Sequence, residues 1–312
     1  MSLKNNHFWE KKPVLITGIN GFIGFALAKQ LKNRGATVWG ISRVIEDKNV
    51  VRANIIDYST IDNIMKDKKI SICFHLAAES FVELGQENPY KTFKVNTLGT
   101  LNILESARSN NLEKLIIAST SQVYGDNPLP FKEDYPVRPS RPYETSKACI
   151  DFIAQSYAET FNLPVLISRF CNIYGPGDMN FTRLIPKTIK SILSGMHPQM
   201  WGKGTLREYL YLDDAVEGYI KLAELPKEKI VKNRIFNFGT GKKYSVEEII
   251  EKIIISSGKT IDIEKISGGR MDEIQEQYVS FAKAKKNLGW KPKMSIDEGL
   301  KKSFLWYKKN IA

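Results

Sequence analysis

Between Pro13 and Phe170 the chain repeats one rhythm, a short β-rich apolar run followed by a stretch of helical periodicity. Strands are predicted at Val14 to Ile16, Thr37 to Ser42, Val50 to Ile55, Ile72 to Leu76, Lys114 to Ala118 and Val165 to Arg169. Helices are predicted between them near Phe22 to Arg34, Ser59 to Lys66, Tyr90 to Asn110 and Tyr143 to Phe161. Strands joined through helices run parallel, and their crossovers are right-handed, so the pattern admits few topologies. We expect an α/β fold with a doubly wound parallel sheet over residues 1–170.

After Phe170 the rhythm breaks. Asn172-Ile-Tyr-Gly-Pro-Gly177 reads as a turn cluster, followed by a helix from Arg183 to Ser194, a polar stretch around Gly202 to Gly204 and a helix from Asp213 to Leu225. Arg234 to Phe238 reads as a strand returning to the main sheet. Ser245 with Glu248 three residues on makes a capping box, Thr260 to Ile266 is strand-like, and Ile296 to Lys309 is the last helix. Residues 171–312 are expected to form mainly a smaller C-terminal α/β lobe that binds substrate at the carboxyl edge of the sheet.

The first strand runs straight into Gly18-Ile-Asn20-Gly21-Phe22-Ile23-Gly24. Glycines at this spacing allow a tight turn, close approach to a pyrophosphate and close helix packing, while the helix amino end offers free N–H groups and partial positive charge. A glycine triplet elsewhere marks only a turn; directly after the first strand of a βαβ pattern it specifies a Rossmann-type dinucleotide site. The second strand normally supplies the residue that reads the adenosine ribose, an acid for NAD or an arginine for a 2′-phosphate. Here it ends in Ser42-Arg43 with no acid before Glu46, which favours NADP over NAD. The bland alternative for Arg43 is an exposed strand end. Asp57, after Ile56, is placed to accept from the adenine amino group or is simply a loop aspartate.

Tyr143-Glu-Thr-Ser-Lys147 sets a phenol and an ammonium on one helical face. A lysine charge about 4 Å from the phenol, at an effective dielectric of ~20, favours tyrosinate by roughly 4 kcal/mol before desolvation. That brings a group of ordinary pKa about 10 toward neutrality, where it can exchange a proton with a sugar hydroxyl. On an exposed helix the same pair is ordinary surface, so its meaning rests on the glycine turn upstream.

With 312 residues, 42% of them hydrophobic, the chain can bury a substantial core. The +12 formal charge is spread over every amphipathic helix without a compact basic and aromatic stripe, so solvated faces explain most of it and no nucleic-acid partner is expected. A smaller share is suited to attracting an anionic substrate. No apolar run reaches transmembrane length, and the polar start Met1-Ser-Leu-Lys-Asn-Asn-His7 is unlike a signal peptide. Cys73, Cys149 and Cys171 lack metal-ligand spacing, so no metal is expected, and a reducing, cytoplasmic setting suits them.

Assembled, these segments resemble the extended short-chain dehydrogenase/reductase family, in its branch of nucleotide-sugar epimerases, 4,6-dehydratases and 4-keto reductases. The matching motifs are Thr17 to Gly24, Phe74-His-Leu-Ala-Ala78, Asn96, Ser119-Thr-Ser-Gln-Val-Tyr-Gly125, Tyr143 to Lys147, Arg169-Phe-Cys-Asn-Ile-Tyr-Gly-Pro176, and Arg207-Glu-Tyr209 before Asp213-Asp214. The segment Tyr174 to Pro186 is most similar to CDP-glucose 4,6-dehydratases, whereas Ile41-Ser-Arg43 and Leu288 to Pro292 fit GDP-4-keto-6-deoxymannose reductases equally well.

The resemblance implies Tyr143 as acid/base, Lys147 on the nicotinamide ribose and Thr120 on the reacting hydroxyl. It implies that Leu76, Ala77, Ala78, Asn96 and Cys171 line the cofactor. Glu79, Ser80, Ser121, Gln122, Asn172 and Leu184 would face substrate, Arg207 and Arg270 its diphosphate, and Trp201 its base. A guanidinium suits a diphosphate because it binds two oxygens at once. His75, on a buried strand, is expected to be a satisfied core histidine.

Dehydratases of this family carry acidic side chains immediately after the active-site threonine. Ser121 and Gln122 stand there, and an amide cannot exchange protons near neutral pH. C4 redox chemistry, as a 4-epimerase or as a 4-keto reductase/4-dehydrogenase, is therefore expected before 4,6-dehydration of CDP-glucose or GDP-mannose type. Glu79 and Glu144 are the residues able to replace the missing acid. An inactive nucleotide-binding regulator is the remaining alternative. The helices from Tyr90 to Asn110 and Tyr143 to Phe161 resemble those of the family's dimer interface, so a homodimer is expected.

Overall fold

A computed structural model describes residues 7–201, 204–230, 233–266 and 275–311. In chain order its first part comprises β1 (Pro13–Thr17), α1 (Phe22–Asn33), β2 (Thr37–Ser42), β3 (Val50–Arg52), α2 (Tyr58–Asp67), β4 (Ile72–His75), α3 (Val82–Glu87), α4 (Pro89–Phe93), α5 (Gly99–Ser109), β5 (Lys114–Thr120), α6 (Pro142–Thr160) and β6 (Val165–Phe170). The second part holds β7 (Asn172–Tyr174), α7 (Leu184–Leu193), β8 (Gln199–Trp201), β9 (Leu206–Arg207), β10 (Tyr209–Tyr211), α8 (Leu212–Glu224), α9 (Lys227–Ile230) and β11 (Ile235–Phe238). It ends with β12 (Tyr244–Ser245), α10 (Val246–Ser257), β13 (Glu264–Ile266), β14 (Glu276–Gln277), α11 (Ala282–Leu288) and α12 (Ile296–Asn310).

The main sheet is parallel and seven-stranded, in the order β11-β6-β5-β4-β1-β2-β3. Its strands read as unbroken apolar runs because helices cover both faces; Ile72, Cys73 and Phe74 of β4 and Leu115, Ile116 and Ile117 of β5 have no exposed surface. Each large apolar side chain so buried contributes about 1.5–3 kcal/mol. The chain leaves β1 toward β2 on one side and returns to β4 on the other. The point where strand order reverses, beyond the carboxyl ends of β1 and β4, is where such sheets bind ligands.

The chain divides into two units. Unit 1 takes residues 1–125, 133–169 and 216–236, and unit 2 takes 126–132, 170–215 and 237–312. The core of unit 2 packs Tyr174, Ile185, Ile189, Ile249, Ile253, Leu300 and Phe304. Its Ser245 cap forms as expected: the hydroxyl accepts from Glu248 N at 3.1 Å and Glu248 Oε2 accepts from Ser245 N at 2.6 Å.

The structure differs from the sequence pattern in several places; the strand-like stretch expected from Thr260 to Ile266, for one, is a strand only over Glu264–Ile266. The helix expected from Tyr90 to Asn110 is α4 and α5 joined by a π turn at Lys94–Leu98. The strand expected from Val50 to Ile55 stops at Arg52. The cluster expected to be a turn from Asn172 begins instead as β7, which pairs in parallel with β10, Asn172 opposite Tyr209. That pairing joins segments distant in sequence, so a local reading of glycine and proline outweighs it.

Candidate active site

Thr17 closes β1 and ties it to β4. Its Oγ1 accepts from Leu76 N at 3.2 Å and Ala77 N at 3.1 Å and lies 2.8 Å from His75 Nδ1. The Thr100 hydroxyl donates to Asn96 O at 2.6 Å and lies 2.9 Å from His75 Nε2. This chain assigns the proton to Nε2, which donates to Thr100, while Nδ1 accepts from the Thr17 hydroxyl. Burial, with a smaller contribution from the Lys147 charge, pushes His75 down to about 3. It is the satisfied core histidine expected.

The glycine turn that follows is packed too closely for side chains. Gly18 adopts φ +70°, and a Cβ there would stand 3.1 Å from the Ala77 backbone; one on Gly24 would come within 2.2 Å of Gly18 O. Gly21 caps α1 without a side chain, so the first N–H groups of that helix receive no side-chain acceptor from the cap. Bare backbone donors at the amino end of a long helix, with no Cβ in front of them, fit a pyrophosphate. Asn20 and Gly21 are exposed and Phe22 and Ile23 half-buried at this turn, with Leu76, Ala77 and Ala78 half-buried on the abutting loop.

At the end of β2 the Ser42 Oγ accepts from Val44 N at 3.2 Å and Ile45 N at 3.0 Å. Arg43 beside it donates to Glu79 Oε1 at 2.9 Å. Glu79 was expected on the substrate side; its carboxylate is on Arg43, and Lys91 Nζ lies 3.5 Å from the same oxygen. Ser80 next to it is exposed. Half-buried Ile56 precedes Asp57, which caps α2 by accepting from Thr60 N at 3.3 Å, Ser59 Oγ at 2.9 Å and Thr60 Oγ1 at 2.6 Å. These hydrogen bonds, the Thr60 hydroxyl first, hold the exposed Asp57 below its usual value.

Asn96 sits in the π turn and is 1% exposed. Its amide accepts from Glu79 N at 2.8 Å and donates to Glu79 O at 3.1 Å and Ser146 Oγ at 2.9 Å. The Ser146 hydroxyl in turn donates to Tyr143 O at 2.7 Å. One buried amide thus fixes the loop after β4 against the first turn of α6.

Tyr143 is half-buried on that turn, where Pro142 opens the helix and Glu144 folds back. Glu144 Oε2 accepts from Ser140 N at 3.3 Å, Ser140 Oγ at 3.2 Å and Arg141 N at 3.3 Å, and the residue is 1% exposed. Lys147, one turn on, donates to Ala118 O of β5 at 2.8 Å. Burial pushes its ammonium down to about 8, opposed by the nearby Asp151 charge. Asp151 receives Arg169 Nε and Nη2 at 2.8 Å, and the guanidinium lies 4.7 Å from the Tyr124 ring. Asp151 and Arg169 went unnoticed as partners in the sequence, although Tyr143, Lys147 and Asp151 recur every four residues on one helical face.

β5 ends at Thr120, whose Oγ1 accepts from Gln122 N at 3.3 Å as a 3₁₀ turn begins. Ser121 is buried, and among the described residues the buried Gln122 Oε1 has no hydrogen-bond partner.

In unit 2, Cys171 is a buried thiol raised far above its ordinary value by burial and by Glu208. Asn172 Nδ2 donates to Glu208 O at 3.2 Å, and Arg207 Nη1 donates to Leu206 O at 3.1 Å. Leu184 opens α7 against the unit's core, and Trp201 closes β8 opposite Ile266. Arg270 lies outside the described residues. Glu208, the middle residue of the Arg207-Glu-Tyr209 motif, has no role in the sequence reading. It is fully buried; Oε2 accepts from Val279 N at 2.9 Å and Oε1 from the amides of Thr240 and Gly241. A Cβ on Gly239 would come within 2.5 Å of the same carboxylate and would have to displace it.

The sheet, the glycine turn and the Tyr143/Lys147 helix together define a nicotinamide-dinucleotide enzyme fold. Residues 14–239 match the model of the NAD dependent epimerase/dehydratase family, and the chain belongs to that family. It is 32% identical to the UDP-glucuronate 4-epimerase of Thermodesulfobacterium geofontis, over 95% of this chain and 96% of that one. It is 30% identical to the dTDP-D-glucose 4,6-dehydratase of Dictyostelium discoideum, over 99% of this chain and 84% of that one. The crystal structure of UDP-glucuronic acid 4-epimerase from Bacillus cereus, in complex with UDP-glucuronic acid and NAD, superposes with a TM-score of 0.86 at 26% identity, covering 95% of this chain and 99% of that one.

Proposed function

We propose that the chain carries out nicotinamide-dependent redox chemistry at C4 of a nucleoside-diphosphate sugar, as a 4-epimerase or as a 4-keto reductase/4-dehydrogenase. The bound nicotinamide supplies the hydride acceptor and donor. Tyr143 takes the proton of the C4 hydroxyl and gives it back. Thr120 hydrogen-bonds that oxygen, and Lys147 stabilises the phenolate. Gly18 to Gly24 hold the pyrophosphate, Arg43 favours a 2′-phosphate, and Asp57 lies near the adenine. Asn172 and Arg207 take the diphosphate of the sugar nucleotide.

The observation that carries this choice is the engagement of both acids able to stand in for a dehydratase pair: Glu144 caps its own helix, and Glu79 is held by Arg43 and Lys91. The unpartnered Gln122 carbonyl oxygen is suited to accept from a sugar hydroxyl but not to exchange a proton. Relatives that are 4,6-dehydratases keep dehydration as the second reading. Exposed Leu98, Leu101 and Phe152, on the π turn, α5 and α6, support a homodimer through these helices.

Incubation with UDP, GDP, CDP and dTDP sugars, with and without NADPH, followed by NMR, separates the readings. A C4 epimer or C4-reduced sugar is expected, and a 4-keto-6-deoxy product would sink the choice. Tyr143→Phe should lower turnover by at least about a hundredfold while cofactor binding persists; near-normal turnover refutes the tyrosine assignment.

A further inference from the structure

The end of β2 carries a cation and no acid, yet the folded chain brings one there from elsewhere. Glu79 belongs to the loop after β4, and its Oε1 lies 2.9 Å from Arg43 Nη1 and 3.5 Å from Lys91 Nζ. Its side chain is only 9% exposed, against 57% for Arg43 and 53% for Lys91. The Asn96 amide clamps the Glu79 backbone through both its N–H and its carbonyl. The carboxylate is therefore held in place, while the two cations that lean on it are more than half exposed. An ionised group so buried needs a counter-charge, so Glu79 keeps Arg43 partly neutralised.

We propose that Glu79 is a specificity-determining residue for the cofactor: it supplies across the sheet the carboxylate that an NAD-selective strand carries at its own end, and it thereby weakens the preference of Arg43 for a 2′-phosphate. The inference rests on the reading that the end of β2 faces the adenosine ribose. A 2′-phosphate entering this cluster meets the guanidinium and a fixed like charge at once, whereas an unphosphorylated ribose meets no such repulsion. Arg43 alone would read as an NADP determinant; the pair selects much less.

The test is the affinity of the full-length, cofactor-stripped protein for NADPH and NADH, followed by nicotinamide fluorescence, in wild type, Glu79→Gln, Arg43→Ala and the double variant. Glu79→Gln should raise NADPH affinity relative to NADH by about tenfold, and the gain should vanish when Arg43 is alanine. An equal change for both cofactors, or a gain that survives without Arg43, overturns the proposal. If Arg43→Ala leaves NADPH affinity untouched, the placement of the ribose fails, and the inference with it. If Arg43→Ala responds and Glu79→Gln does not, the inference alone fails. Should Glu79→Gln not fold, Glu79→Asp shortens the reach to Arg43 and should move the ratio the same way by a smaller factor; an unchanged ratio there overturns the proposal equally.

Discussion

Each unit buries a charged centre, and the two are solved differently. In unit 1 Lys147, Asp151 and Arg169 are all under 6% exposed, and side-chain charges compensate one another. In unit 2 Glu208 is fully buried and met by backbone amides. Counter-charges bias the protonation state of the group they surround, as the Asp151 charge does in opposing the fall that burial imposes on Lys147. Amide dipoles fix the path of the chain around the carboxylate, here the N–H groups of Thr240, Gly241 and Val279 around the residue that separates β9 from β10. The first arrangement answers charge with charge, and the second answers it with main-chain dipoles.

Breaking each centre should separate them. Asp151→Asn strands the Arg169 guanidinium and is expected to cost about 3–5 kcal/mol in urea unfolding, because an unpaired charge is left buried. A cost as small as that of a surface change would show that solvent reaches the pair.

Glu208→Gln should cost less, about 1–3 kcal/mol, since one amide donor loses its acceptor without exposing a charge. If it matches Asp151→Asn, backbone amides are no milder a partner than a side-chain ion, and the contrast collapses.

pH sharpens the same contrast with opposite signs. Lys147, pushed down to about 8, is charged below that value and neutral above it. The rate should therefore fall on an alkaline limb near 8 in kcat/KM, and Asp151→Asn should move the limb lower. Glu208 is raised by burial to about 7 from 4.5, so the folded state binds its proton more tightly than the unfolded chain. Its contribution to stability is complete below about 4.5 and disappears as pH rises through about 7, a trend that Glu208→Gln should abolish in melts across that range. Smallest of all, Lys12→Gln, which removes an exposed pair with Glu113 at 3.0 Å, should change stability by no more than about 0.5 kcal/mol.

Periodicity and the glycine turn made the parallel sheet and most helix ends legible, because burial on both strand faces and capping leave local marks; Thr37–Ser42 and the Ser245 cap were readable to the residue. The π turn under Asn96 was not, since a single inserted residue leaves the helical period almost unchanged. Nor was Glu208, whose partners are main-chain amides with no side-chain signature.

By itself, then, the order of residues determined the class of fold, the position of the glycine turn and the helix bearing Tyr143 and Lys147, because each depends on neighbours within a few positions. Tertiary structure alone decided which acids remain available and which charge stands beside Arg43. Glu79 and Glu144 are acids in any reading of the chain, but an electrostatic partner is chosen by distance in space, and distance is set only when β4, the π turn and α6 have packed together.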